Sequence, residues 1–392
     1  MDIAAVQEQL QKKRIDGWLL FDFRRCNEPG LRILGVSSTT LLTRRLVYWV
    51  PVQGVPLKIV NRIEPHHLDH LPGETRNYSS WQEYHEAIRE AVTGTKRVAM
   101  EYSPDNALPY ISTVDAGTVD LVRGFGCEVV SSAALLQQFS GVWDFHKLET
   151  HRYAALVLQK TVEAAWELIG QTLAAEETIH EASVQRFILD RFAERGCVTD
   201  AGPICAVNAH SADPHYVPSE QTSSPIQPGD FVLIDLWCKQ DVPSAAYADI
   251  CRVAVAGGVA TRKQKEVFNC VLAAQAASLS LIKQRFQAGE RIEGWEADQA
   301  ARDVIETAGY GEFFTHRTGH NIDESDHGDG THLDNFETHD TRALIPRTCF
   351  SIEPGIYLPN HFGVRLETDV YLHESGKVEV TGGLQQELLL LC

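Results

Sequence analysis

Four acidic residues stand where acids are scarce, inside short apolar runs with the alternation of a β-strand. Asp235 in FVLIDLW shares a face with Phe231, Leu233 and Trp237, and Asp249 in YADICRVAV shares one with Tyr247, Cys251 and Val253. Glu353 follows Ile352 in CFSIEPG just before Pro354, and Glu367 in GVRLETDV lies on the face of Arg365 and Asp369. A carboxylate buried alone is costly, and acids are depleted in strands. Taken singly, each reads as an acid at a strand end in water, or as the partner of a base such as Arg252 or Arg365. Taken together they ask for a common partner. With one histidine added they become a ligand set for hard or borderline divalent ions. The four carboxylates would leave two negative charges uncompensated beside one divalent ion and none beside two, which favours a dinuclear centre.

The histidine has an obvious source. Residues 316–340 read HRTGHNIDESDHGDGTHLDNFETHD, with five histidines among five aspartates and two glutamates. Such a stretch is a metal site, a pH switch or a solvated loop, and His332 and His339 in its second half are expected to be solvated.

The elements that must position these residues can be read from periodicity. RLVYWVP, LKIVN, RVAME and CEVVSS are expected strands, with helices at QEYHEAIREAVTG and SSAALLQQF between them, giving an α/β domain over residues 1–145. A long helix is expected from about Lys147 to Ala174, and EETIHEASVQRFILDRFAERG as a second one closed by Gly196. Strands at FVLIDLW and AAYADICRVAVAG, helices near 262–286 and 295–308, and short strands at CFSIE, GVRLETDVYL, KVEVTGG and ELLLL make residues 146–392 an expected α+β domain.

A net charge of -18 over 392 residues excludes nucleic acid and an anionic membrane surface as expected partners, since both need a basic face. The nine cysteines, Cys26, Cys127, Cys197, Cys205, Cys238, Cys251, Cys270, Cys349 and Cys392, form no C-x-x-C pair, so reduced thiols and a cytoplasmic location are expected. The opening MDIAAVQEQLQKKRIDGWLLFDF has no leader pattern, and no window of about 18 apolar residues reads as a membrane span.

The ordered set DLW, YADICR, HRTGHNIDESDH, SIEPGIY and VRLETDV resembles the pita-bread metallopeptidases, the family of methionine aminopeptidase, aminopeptidase P and prolidase. The likeness covers the chain from about Lys147, and the first domain resembles the creatinase-type domain that precedes the catalytic one in aminopeptidase P and prolidase. It implies an α/β N-terminal domain plus an α+β pita-bread domain, holding two divalent ions, Mn²⁺ foremost, with Co²⁺, Fe²⁺ or Zn²⁺ as alternatives. Asp235, Asp249, His320, Glu353 and Glu367 would be the ligands, Asp249 and Glu367 bridging. Glu353 would also carry the proton, His327 would donate to the scissile carbonyl, and His215 would bind substrate. His316, Arg365 and Tyr357 would bind substrate or support the ligands, Arg365 by holding the bridging carboxylates.

The implied activity is hydrolysis of Xaa-Pro bonds, in dipeptides or at peptide N-termini, by a hydroxide bridging two metals, in a homodimer. A lyase or other hydrolase on the same fold and an inactive binding protein are the alternatives. The chain departs from the family pattern in its longer Asp235-to-Asp249 spacing, with KQDVPSA as the insertion, in Trp237 where glycine is common, and in Cys251 where threonine is common. Cys251 near the metals implies sensitivity to oxidation.

Overall fold

The computed structural model describes residues 1–391, so Cys392 lies outside the described residues. It divides into two compact units, Met1–Gly141 and Val142–Cys392. The first carries strands β1 (Gly17–Asp22), β2 (Leu46–Pro51), β3 (Leu57–Asn61), β4 (Glu74–Tyr78), β5 (Arg97–Met100) and β6 (Glu128–Ser131). Its helices are α1 (Ile3–Lys13), α2 (Glu28–Leu34), α3 (Trp81–Ala91), α4 (Ala116–Gly124) and α5 (Ala133–Ser140). The strands form one sheet in the order β4-β3-β2-β1-β5-β6, with parallel pairs at β3/β4, β1/β5 and β5/β6. Alternating side chains give the sheet two cores: Trp18, Leu20, Tyr48 and Val50 face one way, and Leu19, Phe21, Val47 and Trp49 the other.

The second unit opens with α6 (Phe145–Ala174), capped by Asp144, whose carboxylate accepts the Lys147 amide. Then come β7 (Ile179–His180), α7 (Glu181–Glu194), β8 (Cys197–Val198), β9 (Ile204–Val207), β10 (Pro225–Ile226), β11 (Phe231–Gln240) and β12 (Ala248–Ala256). Helices α8 (Arg262–Gln287) and α9 (Gly294–Thr307) follow, then β13 (Asn321–Ile322), β14 (Cys349–Ile352), β15 (Gly355–Leu358), β16 (Phe362–Arg365), β17 (Thr368–Leu372), β18 (Val378–Thr381) and β19 (Leu389–Leu391). The centrepiece is the antiparallel pair β11/β12, extended by β8 and β9 on one side and by β19 on the other.

One face of that pair, with Val232, Ile234, Leu236, Ala248 and Ile250, packs on α6 and α7. The opposite face, with Phe231, Leu233, Cys251 and Val253, packs on Val267, Phe268 and Val271 of α8 and Ala301 and Ile305 of α9. Continuing along this second face, the apolar row is interrupted by Asp235 and by Asp249, which lies opposite Trp237. The interruption of the core is therefore the place where polar chemistry begins.

Three expectations need correction. GVRLETDVYL is two strands, because the chain turns at Leu366 and Glu367, where the Glu367 amide donates to the Cys251 carbonyl of β12. Glu367 thus sits in a break between β16 and β17, which belong to different sheets. The second helix starts only at Glu181, since Ile179 and His180 pair with Ile226 and Pro225. The second half of the histidine-rich stretch is not a solvated loop: His332 is buried, accepting the Asn321 amide on Nδ1 at 3.1 Å, and burial pushes its pKa well below the ordinary imidazole range. Asp334 accepts the amides of Phe336, Glu337 and Thr338, and Asp340 pairs with Arg342 at 2.6 Å, so these acids hold the loop in shape. His339 alone of the two is exposed. The described cysteines are free thiols, and among the described residues no helix is long and apolar enough to cross a membrane.

Candidate metal centre

Four chain segments converge on the imidazole of His320. Its Nε2 lies 3.3 Å from Glu353 Oε1, 3.9 Å from Asp249 Oδ2 and 4.0 Å from Glu367 Oε1. Asp249 comes from β12, Glu353 from the end of β14, and Glu367 from the β16–β17 break. Asp235, directly opposite Cys251 in the β11/β12 register, completes the set and is held by a salt bridge from Arg365 Nη2.

The local sequence explains how these groups are aimed. A side chain at position 319 would put its Cβ 2.0 Å from the Ser351 carbonyl, so only glycine lets the His320 strand lie against β14. The Ser351 hydroxyl accepts the His320 amide at 3.0 Å and donates to Glu353 Oε1 at 3.1 Å, tying the two side chains that meet. Gln275 of α8 donates to the carbonyls of Ile352 and Leu366, the residues just before Glu353 and Glu367. Arg252 directs its donors to the carbonyls of Cys251, Glu367, Gly382 and Gly383 rather than to an acid.

Arg365 is the inner end of a hydrogen-bonded row. Its Nη1 donates to the Tyr357 hydroxyl at 3.0 Å, which donates in turn to His316 Nε2 at 2.8 Å, while His316 Nδ1 donates to the Arg317 carbonyl at 2.7 Å. Burial, with the Arg365 charge adding to it, takes His316 down to about 3, so it stays neutral and its two nitrogens keep opposite roles. His316 is therefore the outer support of Asp235, three hydrogen bonds removed from it.

His327 packs against His320 with ring centroids 4.0 Å apart and the rings tilted by 43°, and receives Arg317 Nη2 on Nδ1 at 3.3 Å. Desolvation and the Arg317 charge take it down to about 4, although 61% of its side chain is open to solvent. His215 is exposed, and near enough for its charge to act on His327. Residues that sequence reasoning missed are Asp326, whose Oδ2 is 3.6 Å from His327 Nε2, Asp369, which accepts the Asp249 amide at 2.8 Å, and Ser351, Gln275 and Arg317. Asp326 carried a signal, its place beside His327 in the stretch already singled out. Arg317, Ser351 and Asp369 also lie within the motifs HRTGHNIDESDH, SIEPGIY and VRLETDV, whereas Gln275 of α8 touches the centre only through three-dimensional contacts.

Electrostatics test whether this group suits cations. Asp235 Oδ1, Asp249 Oδ1 and Glu367 Oε1 are buried with no hydrogen-bond partner. Burial pushes Asp249 and Glu367 well above the carboxylate range, neighbouring acids adding to the rise, and takes Glu353 to about 7 against the opposing charge of Arg365. Orphaned buried oxygens facing one imidazole fit divalent ions. Asp249, His320 and Glu367 each offer a ligand atom, all within 4.8 Å of one another. His320, Asp326 and His327 make a second such group, which lies toward solvent. Cys251 is fully buried with its thiol raised well above normal by that burial, which opposes the expected sensitivity to oxidation.

A cluster of carboxylates around one histidine, with a second imidazole beside it, makes a candidate site for divalent ions. Residues 149–374 match the profile described as metallopeptidase family M24, and the chain belongs to that family. Over 164 residues it is 36% identical to the Xaa-Pro dipeptidase of Lactobacillus helveticus, covering 42% of this chain and 40% of that protein. Over 263 residues it is 30% identical to the putative dipeptidase YkvY of Bacillus subtilis, covering 65% and 64%. The chain thus spans less than two thirds of these curated relatives.

Solved structures match nearly end to end: dipeptidase PepE from Mycobacterium ulcerans with a TM-score of 0.73 at 21% identity, covering 99% of this chain and 96% of that one, and a prolidase from Thermococcus sibiricus at 0.64 and 23%, covering 100% of both. These likenesses establish the fold, an α/β unit followed by an α+β pita-bread unit. The N-terminal domain of the FACT complex subunit SPT16 from Eremothecium gossypii shares it at a TM-score of 0.61 and 12% identity, covering 99% and 97%, so the fold alone names no reaction.

Proposed function

We propose that the chain is an exopeptidase cleaving Xaa-Pro bonds, in dipeptides or at peptide N-termini, with residues 146–392 as the catalytic domain and residues 1–145 as the creatinase-type N-terminal domain. The observation that carries this is the meeting of Asp249, Glu353 and Glu367 around His320 Nε2, with orphaned oxygens, in an M24 chain. The Xaa-Pro specificity rests on the named activity of the Lactobacillus relatives, at 36% and 34% identity.

Asp235, Asp249, His320, Glu353 and Glu367 would hold two divalent ions, Mn²⁺ first among the candidates. Such ions supply Lewis-acid activation of the attacking water and of the scissile carbonyl. Glu353 takes the proton from that water and delivers it to the proline nitrogen as it leaves. His327 accepts from Arg317 at Nδ1, which leaves its Nε2–H as the donor for the carbonyl oxygen as charge develops there. His215 lines the substrate's path. His316, Tyr357 and Arg365 fix Asp235 in place. The second grouping, with Asp326, is assigned no ion here, because His320 cannot serve both and the buried set has the greater uncompensated charge. A cytoplasmic homodimer belongs to the same reading.

The test is an assay of the purified, Mn²⁺-loaded protein on Xaa-Pro dipeptides and on an Xaa-Pro-Xaa tripeptide. Turnover of either class is expected and their ratio sets the preference. Metal-loaded protein that cleaves neither would overturn the proposal.

A further inference from the structure

Trp237 and Asp200 have no part in the chemistry above. Trp237 lies on the Asp235 face of β11, directly opposite Asp249. On the other side of β11 the register pairs Gln240 with Cys197 and Lys239 with Val198. Carried on by two residues, it brings Asp200 alongside Trp237, and the indole Nε1 donates to Asp200 Oδ1 at 3.0 Å. Asp200, Trp237 and Asp249 are thus neighbours in one row across the sheet, running from an exposed carboxylate to a buried one. The Asp200 charge also acts on His327, Asp326 and the Tyr247 phenol, which places it at the mouth of the centre.

An exposed ion at a strand end is ordinarily only solvated, and the indole bond could merely fasten β8 to β11. Two features speak for more. A carboxylate whose orientation is fixed by an indole N–H is pre-set to accept a charged donor on its remaining lone pairs. And the row points at the reacting centre.

We propose that Asp200 and Trp237 form a cation subsite that takes the side-chain ammonium or guanidinium of the substrate residue on the amino side of the scissile bond. This rests on the peptidase reading given above. Distance selects the side chain over the α-ammonium. Two strand spacings, about 10 Å, separate the Asp200 backbone from that of Asp249. The α-nitrogen is two bonds from the reacting carbonyl and must stay beside the metal ligands, whereas a lysine or arginine side chain spans the gap. Trp237 holds the Asp200 carboxylate in place through its indole N–H.

The experiment compares kcat/KM for Lys-Pro, Arg-Pro and Met-Pro on the metal-loaded full chain at low ionic strength. The wild type is expected to favour the two cationic dipeptides by about fivefold, chiefly through KM, and the preference shrinks with added salt. Asp200→Asn brings the Lys-Pro to Met-Pro ratio to about one, and Asp200→Lys takes it below one. A wild-type ratio of one, or a ratio kept in both variants, overturns the subsite. Equal losses on every substrate keep the ratio and so count against it, whether the cause is a structural role or a grip on the α-ammonium. Calorimetric binding of the reduced-amide analogues of Lys-Pro and Met-Pro separates this from the peptidase reading. Tighter binding of the lysine analogue, abolished by Asp200→Asn, supports the subsite even if neither dipeptide is cleaved, and equal binding overturns it.

Discussion

His327 and His320 are both imidazoles, with ring centroids 4.0 Å apart, yet their surroundings give them opposite tasks. His320 is enclosed by three carboxylates, while His327 has Arg317 on Nδ1, Asp326 3.6 Å from Nε2 and most of its side chain open to solvent. Replacing His327 with glutamine should therefore lower kcat by about 10² while leaving the Mn²⁺ content unchanged, as read by elemental analysis beside steady-state kinetics. A fall in bound metal would instead make His327 a ligand. Tyr357→Phe breaks the row from His316 to Arg365 and frees the guanidinium that holds Asp235. About a tenfold loss in Mn²⁺ affinity or in activity is expected, measured by metal titration and assay. The acids that converge on His320 were legible because an acid inside an apolar alternation has no bland explanation once it is repeated. The supporting row was not, since Tyr357 and His316 are ordinary residues far apart in sequence whose bond exists only after β15 and the His316 loop meet. His332 misled for the converse reason: a polar stretch reads as solvated, whereas here its acids cap its own backbone and bury the ring.

Elements position the site through their ends and breaks, which is where periodicity is least informative. Strand β4, ETRNY, lies at the sheet edge with polar residues on both faces and leaves no alternation to read, and the β16–β17 break is hidden inside a run whose alternation never lapses. The long helix α6, by contrast, was plain, and one buried residue on it links it to Thr381 of β18 and to Tyr247, just ahead of β12. His151 donates Nδ1–H to the Tyr247 carbonyl at 2.6 Å and accepts the Thr381 hydroxyl on Nε2 at 2.7 Å. Burial lowers its pKa to about 4. Below about pH 6.5 the unfolded chain takes up a proton at this residue, while the folded chain stays neutral until pH nears 4. Stability should therefore be flat above that window and fall as pH drops through it, by about 3 kcal/mol at most for this one group. Urea unfolding of wild type and His151→Gln at pH 7.5 and pH 5 isolates the effect, because the variant should lose less stability across the interval. Equal losses would place the acid sensitivity elsewhere.

At the scale of the molecule, every proposed metal ligand belongs to the unit Val142–Cys392, while Met1–Gly141 has cores of its own. The second unit gathers the buried Asp235, Asp249, Glu367 and Asp369 and the partly buried Glu353, a concentration of acid that costs stability unless it is protonated or bound to cations. Cations that bind the folded chain and not the unfolded one stabilise by mass action, about 2.7 kcal/mol at a free concentration one hundred times Kd. For a unit of this size that corresponds to a rise of about 5–10 °C in its melting temperature. Chelation should reverse the rise, and re-addition of Mn²⁺ should restore it together with activity. Hydrogen exchange locates the effect: metal should slow exchange in β11, β12 and the segments around His320, Glu353 and Glu367, and leave the six-stranded sheet of the first unit unchanged. Protection appearing instead around Asp326 and His327 alone would move the ion to the outer grouping and assign the buried carboxylates a different partner.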